Sequence, residues 1–173
     1  MKNIFLIMIL CAVVWSCSND DNPVVSETGS GEDYEIYSTI IKSDSALGNL
    51  LIILNDTTVY GHIESIHVDN IREKSHELLN QTVNDYNSKN GSSIKLKKIP
   101  GIDNFVWRSE YTGDGRNSVN ITLSRIGYGD SNTQAIVSMG ELFAPLAGSG
   151  TLFYLKKENG TWIIKSKIML WIS

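Results

Sequence analysis

Between Ser118 and Ser173 the chain repeats one pattern, short runs of alternating apolar and polar residues divided by turn-forming residues. A period of two sends successive side chains to opposite faces of a strand, so this stretch predicts an antiparallel sheet that the preceding residues must cover. In the last run, Thr161 to Ser173, Trp162, Ile164, Ile168, Leu170 and Ile172 share one face, interrupted by Ser166, while Thr161, Lys165 and Lys167 share the other. Leu152 to Lys157 forms the run before it. Glu158-Asn159-Gly160 joins the two, and Asn-Gly is the pair that accepts positive φ at both centres of a tight hairpin turn. Upstream, Ser118 to Tyr128 alternates Val119, Ile121 and Leu123 against Asn120, Thr122 and Ser124, and Gln134 to Met139 alternates again. Four strands in a meander are predicted, with the Gly, Asp, Ser and Asn residues of 127–133 as the first turn.

What precedes the sheet reads as helix and one early strand. Ser30 stands three residues before Asp33, a capping arrangement, and Tyr34, Tyr37 and Ile41 then form an apolar stripe with Ile36 and Ile40 beside it. This helix is expected to end near Asp44 to Gly48. Leu50 to Leu54 is a continuous aliphatic run, the pattern of a buried strand. Val68, Ile71, Leu78, Leu79, Val83 and Tyr86 recur at helical spacing, predicting one longer helix over 68–88 that Asn90-Gly91 stops. Phe105, Val106, Trp107 and Tyr111 are expected to pack over the sheet edge. The predicted class is α+β: N-terminal helices and an early strand packed on a C-terminal four-stranded antiparallel meander, with a cone-like or cystatin-like curved sheet as the nearest analogue.

A chain of 173 residues, 42% hydrophobic and 20% charged, suits one globular domain with a substantial core. Its net charge of −4 argues against a nucleic-acid surface, which needs clustered cations to displace counterions from phosphate. The basic group Lys95, Lys97 and Lys98 reads as a solvated loop.

The amino terminus points to location. Lys2 supplies a positive start, Ile4 to Val14 an apolar run, and Val14-Trp15-Ser16-Cys17 places a small residue before a cysteine. This resembles a bacterial lipoprotein signal with its lipobox. The resemblance implies cleavage before Cys17, diacylglycerol on its thiol and an acyl chain on the freed amine. The apolar run falls short of the ~20 residues a membrane-spanning helix needs, so it reads as a removable leader. Residues 1–16 are therefore a signal peptide, 17–32 a lipidated flexible tether and 33–173 the folded domain. The chain has two cysteines, Cys11 in the leader and Cys17, so the domain beyond Cys17 holds no disulfide or cysteine nucleophile. Several acyl chains would anchor it stably, where one binds marginally. Asp20-Asp21, shortly after Cys17, resembles the surface-export signal of Bacteroidetes lipoproteins, which implies an outer-membrane lipoprotein, on the cell surface or otherwise on the periplasmic face.

A second resemblance rests on Ser124-Arg125-Ile126-Gly127-Tyr128, Thr133-Gln134-Ala135, Gly148-Ser149-Gly150, Asn159-Gly160-Thr161-Trp162 and Leu170-Trp171-Ile172-Ser173. Over roughly the last third, the chain resembles a family of uncharacterised Bacteroidetes lipoproteins. That implies location and a fold, without a substrate.

No motif assigns a catalytic residue, a metal or a cofactor. His62, His67 and His76 are five and nine residues apart, neither a helical metal-pair spacing, and read as solvated. Glu64, Asp69 and Glu73 lie near them in sequence, so a hydrolase built on His62 or His76 with one of these carboxylates is the alternative to a non-catalytic binding domain. Asp114-Gly115-Arg116-Asn117 and Asp130-Ser131-Asn132 carry oxygen donors without the glutamate-terminated loop of an EF-hand, and read as turns. Asp44-Ser45-Ala46 and Asp56-Thr57-Thr58 match a short O-glycosylation acceptor pattern. Two candidate binding features remain. Arg125 falls on the Val119, Ile121 and Leu123 face, where a guanidinium needs a carboxylate or bound anion unless it makes a strand-end salt bridge. Phe143 and Leu146 lie in an apolar segment between strands: covered by helices they are core, the preferred reading, and exposed they are a contact patch for a protein, glycan or small apolar ligand. The expected partner of the whole chain is a lipid bilayer, reached through acylated Cys17.

Overall fold

The computed structural model describes residues 29–75 and 77–173. The leader, Cys17, the first part of the tether and His76 lie outside the described residues. The domain is α+β. Its elements are α1 (Gly31–Lys42), a 3-10 turn (Ser45–Leu47), β1 (Leu51–Leu54), α2 (Ser65–Ser75), α3 (Asn80–Lys89), β2 (Phe105–Trp107), β3 (Ser118–Leu123), β4 (Gly127–Gly129), β5 (Gln134–Ala144), β6 (Ala147–Glu158) and β7 (Thr161–Ile172). One mixed sheet runs in the order β2-β1-β3-β5-β6-β7, and β4 also pairs with β5.

The early strand joins the sheet instead of packing on it. β1 lies parallel to both β2 and β3. Helices and loops cover both of its faces, so Ile52, Ile53 and Leu54 are all at most 2% exposed, which explains a run without alternation. Phe105 to Trp107 forms the sheet edge itself, not a cover over it.

Strands β3, β5, β6 and β7 form the expected antiparallel meander, with two departures. First, the run 118–128 is not one strand. It breaks at 124–126, so that β3 and β4 follow each other along the same side of β5. Second, β7 changes face midway. Leu155 pairs with Ile164 and Tyr154 with Ser166, which leaves Lys165 as a bulge, and Thr151 pairs with Met169 but Gly150 with Trp171, which leaves Leu170 as a second. An extra residue in one strand reverses the alternation beyond it. Trp162 and Ile164 therefore pack with α1, whereas Ile168 and Leu170 pack with α2 and α3. The turns match expectation: Asn159 and Gly160 have φ of 51° and 82°, and Asp130, Ser131 and Asn132 are all left-handed.

The sheet is the middle of three layers. On one face, Ile36, Tyr37, Ile40 and Ile41 of α1 pack with Leu96, Ile99 and Ile102 against Val119, Ile121, Ala135, Val137 and Phe153. Each fully buried aliphatic there contributes about 1.5–3 kcal/mol. The Ser30–Asp33 capping box is present, and α1 begins at Gly31, taking two residues from the expected tether. On the other face, Val68 and Ile71 of α2 and Val83 and Tyr86 of α3 cover Ile136, Leu152, Tyr154 and Ile168. The single helix predicted over 68–88 is two. Gln134 divides them: its Nε2 donates to Glu77 O at 2.9 Å, and its Oε1 accepts from Leu79 N and Thr82 Oγ1, both at 3.2 Å. A buried side-chain amide thus satisfies backbone groups at the start of α3 that a continuous helix would have paired internally.

At the other end of α3 the strand break and the helix terminus complete each other. The buried Asn90 side chain accepts from Arg125 N at 2.7 Å and donates to Arg125 O at 3.0 Å, in place of the missing sheet partner. Because the strand breaks here, Arg125 leaves the alternating face. Its Nη1 donates to Lys89 O at 3.1 Å and Ser92 Oγ at 2.8 Å, so among the described residues its partners are a helix carboxyl-terminal carbonyl and a hydroxyl and not a carboxylate. Between these caps α3 lies directly on β4. A Cβ on Gly127 would overlap the backbone and Cβ of Tyr86, and one on Gly129 would overlap the Thr82 side chain. Gly127→Ala must separate helix from strand, so it should cost about 3 kcal/mol in urea unfolding, at the upper end for overpacking. Gly91→Ala, whose Cβ would meet Ser88 O at an ordinary 3.8 Å, should stay within about 0.5 kcal/mol of wild type.

Candidate functional site

The α2/α3 face of the sheet is only partly covered, and register fixes what lies in the uncovered part. Thr122 pairs with Gly140, Gly140 with Gly150, and Gly150 with Trp171, making one row across β3, β5, β6 and β7. The two central positions have no side chain, so the indole of Trp171 lies across the glycine pair. A Cβ on Gly150 would overlap the indole, and one on Gly140 would come within 2.6 Å of Thr122 Oγ1 and 3.4 Å of Trp171 Cζ2. Trp171 is nevertheless 45% exposed. The glycines lower the sheet floor enough to seat a large ring flat while leaving part of it in water.

Two hollows meet over this row. One, of about 280 Å³, is bounded by Tyr60, Gly61, His62, His67, Tyr86 and Ser138 together with Thr122, Gly140, Gly150 and Trp171. The other, of about 350 Å³, is bounded by Asn55, Arg108, Asn120, Thr122, Leu142 and the same Gly140 and Trp171. The wall is built from the helices outward. Tyr86 reaches from α3 to share a 3.0 Å hydrogen bond with Ser138, and its hydroxyl touches Gly61, where a Cβ would be 2.7 Å away. Ile63 N donates to Asn87 Oδ1 at 3.0 Å, tying the loop that carries Tyr60 and His62 to α3. On the far wall Arg108 Nη1 donates to Asn120 Oδ1 at 3.0 Å, using one of its five N–H donors. His67 Nδ1 is buried with no hydrogen-bond partner among the described residues. The polar side chains lining the groove are amide, hydroxyl, imidazole and guanidinium. Glu141 borders it by backbone, but its neighbour Gly140 faces the groove, so alternation turns the carboxylate to the opposite face.

Of the histidines flagged from sequence, His62 and His67 come together at this groove. Glu64, Asp69 and Glu73 are exposed and none lines it. Among the described residues no three His, Cys, Asp or Glu side chains gather in a geometry that could hold a metal. The two oxygen-rich segments use their donors within their own turns: Asp114 Oδ1 accepts from Arg116 N, and Asp130 Oδ2 from Thr133 Oγ1. Ser45 and Thr57 are both exposed.

Phe143 and Leu146 are not core. They are 42% and 86% exposed at the tip of the β5–β6 hairpin, whose turn residues are Pro145 and Leu146. Pro145 holds a negative φ, which rules out the mirror-image turns that match strand twist, and a register shift between Leu142 and Ala144 takes up the mismatch. The tip therefore projects beyond the helices. Trp171, Gly140 and Gly150 were not among the sequence candidates. The available signal was glycine within alternating runs, which marks close approach of a ring, a ligand or another backbone.

On the opposite face Glu141 is 8% exposed. Its carboxyl is pushed up to about 7, first by burial, then by the charge and hydrogen bond of Asp44, with Lys167 pulling it down. Glu141 thus holds a proton that an isolated glutamate, with an ordinary value of 4.5, would release. A raised acid binds an extra proton in the folded state, so its stabilisation is complete below about pH 4.5 and is lost as pH rises through about 7. Urea unfolding between pH 5 and pH 8 should show wild type losing on the order of 1 kcal/mol, discounted for nearby water, and Glu141→Gln flattening that loss. A wild-type stability that rises over this range would contradict the assignment.

Comparison with family models, with curated proteins and with solved structures finds no match to this chain.

Proposed function

We propose that this chain is a lipid-anchored lipoprotein of the outer membrane whose folded domain binds a ligand in the groove over Trp171 without transforming it. The anchor half rests on the sequence alone: a positive start, an apolar run too short to stay in a bilayer, and Ser16-Cys17 at its end. The binding half rests on one observation, a half-exposed indole seated on a glycine pair in a groove into which, among the described residues, no carboxylate points. Concave sites with an aromatic floor and a few convergent polar groups are the usual form of small-ligand sites. For His62 the hydrolase alternative gains no such support, because Glu64, Asp69 and Glu73 do not line the groove that holds it and a general base needs its partner within hydrogen-bond reach; His76, its other histidine, lies outside the described residues.

Expression of the full chain in a diderm bacterium tests the anchor. Mass spectrometry of the detergent-extracted protein should find an amino-terminal Cys17 carrying three acyl chains, and Cys17→Ala should move the protein to the soluble fraction. An unacylated, soluble wild-type product would overturn this half. For the binding half, a ligand that raises the melting temperature of the solubilised protein should be recovered chemically unchanged, and its effect should vanish in Trp171→Ala. Recovery of a converted product would overturn the binding reading.

A further inference from the structure

Resting on the groove reading above, we infer that its ligand is a saccharide, with one pyranose ring stacked on Trp171 and its hydroxyls held by the flanking polar side chains. Three observations narrow the ligand class. The indole lies across Gly140 and Gly150 with 45% of the residue exposed, a flat apolar platform about one ring wide. Such a surface favours a ligand with one apolar face, and the face of axial C–H bonds on a pyranose is of that kind. The rims are lined by Asn55, Asn120 and Arg108 on one side and Tyr60 and His62 on the other. These planar side chains donate and, Arg108 apart, also accept in fixed directions, which suits an alternating ring of hydroxyl donors and acceptors. Finally, His67 lines the same hollow and its buried Nδ1 has no partner among the described residues, so no hydrogen bond through that nitrogen fixes the imidazole against turning to a ligand.

Other ligand classes fit less well. An acyl chain would strip water from these amides, imidazoles and the guanidinium without replacing their hydrogen bonds, which disfavours its binding. A phosphorylated ligand calls for several converging cations, and among the described residues Arg108 is the one Lys or Arg lining either hollow. An added peptide strand needs a free sheet edge, whereas this site lies on the sheet face.

The test uses the full chain in detergent, titrated by calorimetry with cellobiose, maltose, mannobiose and N,N′-diacetylchitobiose, and separately with the apolar dye anilinonaphthalene sulfonate. At least one disaccharide should bind, quench tryptophan fluorescence and be displaced by excess of itself. Trp171→Ala should weaken that binding at least ~10-fold, in line with the loss of one stacking platform, and Trp171→Phe should restore most of it. Far-UV circular dichroism and melting temperature would show that both variants remain folded. Disaccharide binding that Trp171→Ala leaves unchanged would overturn the site. Binding of the dye alone, lost in Trp171→Ala, would overturn the saccharide assignment while leaving the groove as a ligand site. Binding of neither would overturn both.

Discussion

The close seating of α3 on β4 is the constraint on which the rest of the domain depends. Gly127 and Gly129 bring the helix backbone almost onto the strand, and the Asn90 amide then pairs with Arg125 where the strand breaks. Only at that separation does Tyr86 reach past the sheet surface to Ser138 and press on Gly61. The loop bearing Tyr60 and His62 is thus placed by a helix to which it is joined through Ile63 and Asn87. Buried polar bonds of this kind are strong when complete and costly when half made, so glycines, amide and tyrosine act as one unit. The same contact supplies Lys89 with its partner in Arg125 and ends the helix.

Sequence periodicity reveals elements far better than it reveals their relations. The hairpins, the Asn159-Gly160 turn, the Ser30–Asp33 cap and the α+β class were all legible, because each depends on residues within a few positions of one another. The β7 bulge was hidden for a definite reason. Trp162, Ile164, Ile168 and Leu170 keep even spacing, and both faces of the sheet are covered, so a change of face at Lys165 leaves the apolar pattern intact. The break between α2 and α3 was hidden differently: Gln134, more than fifty residues away in the chain, supplies the polar atoms that make it stable. Arg125 lies off the alternating face because the strand stops at Leu123, two residues before it, so the alternation does not carry through.

The groove was illegible for a stronger reason. Its floor is one row drawn from four strands, and a row exists only once all three pairings have their register. The residues Gly148-Ser149-Gly150 and Leu170-Trp171-Ile172-Ser173 stood out as resemblance motifs, yet nothing in either shows that Gly150 will lie beneath Trp171. Much the same holds for Phe143 and Leu146. Their hydrophobicity suggested core, but a two-residue turn with Pro145 places them beyond the layer that could have covered them.

Polarity along the sheet links the two halves of the proposed function. Lys157 near the end of β6 pairs with Glu32, and Tyr128 with Asp33, so the start of α1 sits at the β6–β7 hairpin end. Gly150 lies seven residues back along β6, about 23 Å away at ~3.3 Å per residue, and the exposed Phe143–Leu146 tip is farther still. A lipid on Cys17 would therefore hold the domain by the pole remote from the groove. The roughly thirteen peptide units from Cys17 to Ser30 reach at most ~45 Å, enough to keep the domain clear of the head groups but too little to leave their neighbourhood. In that arrangement the Trp171 platform and the apolar hairpin tip point away from the anchoring bilayer, toward whatever lies beyond it. The direction follows from α1 running from the β6–β7 hairpin end toward Asp44, whose charge and hydrogen bond help raise Glu141, a second link between α1 and the groove-bearing end of the sheet.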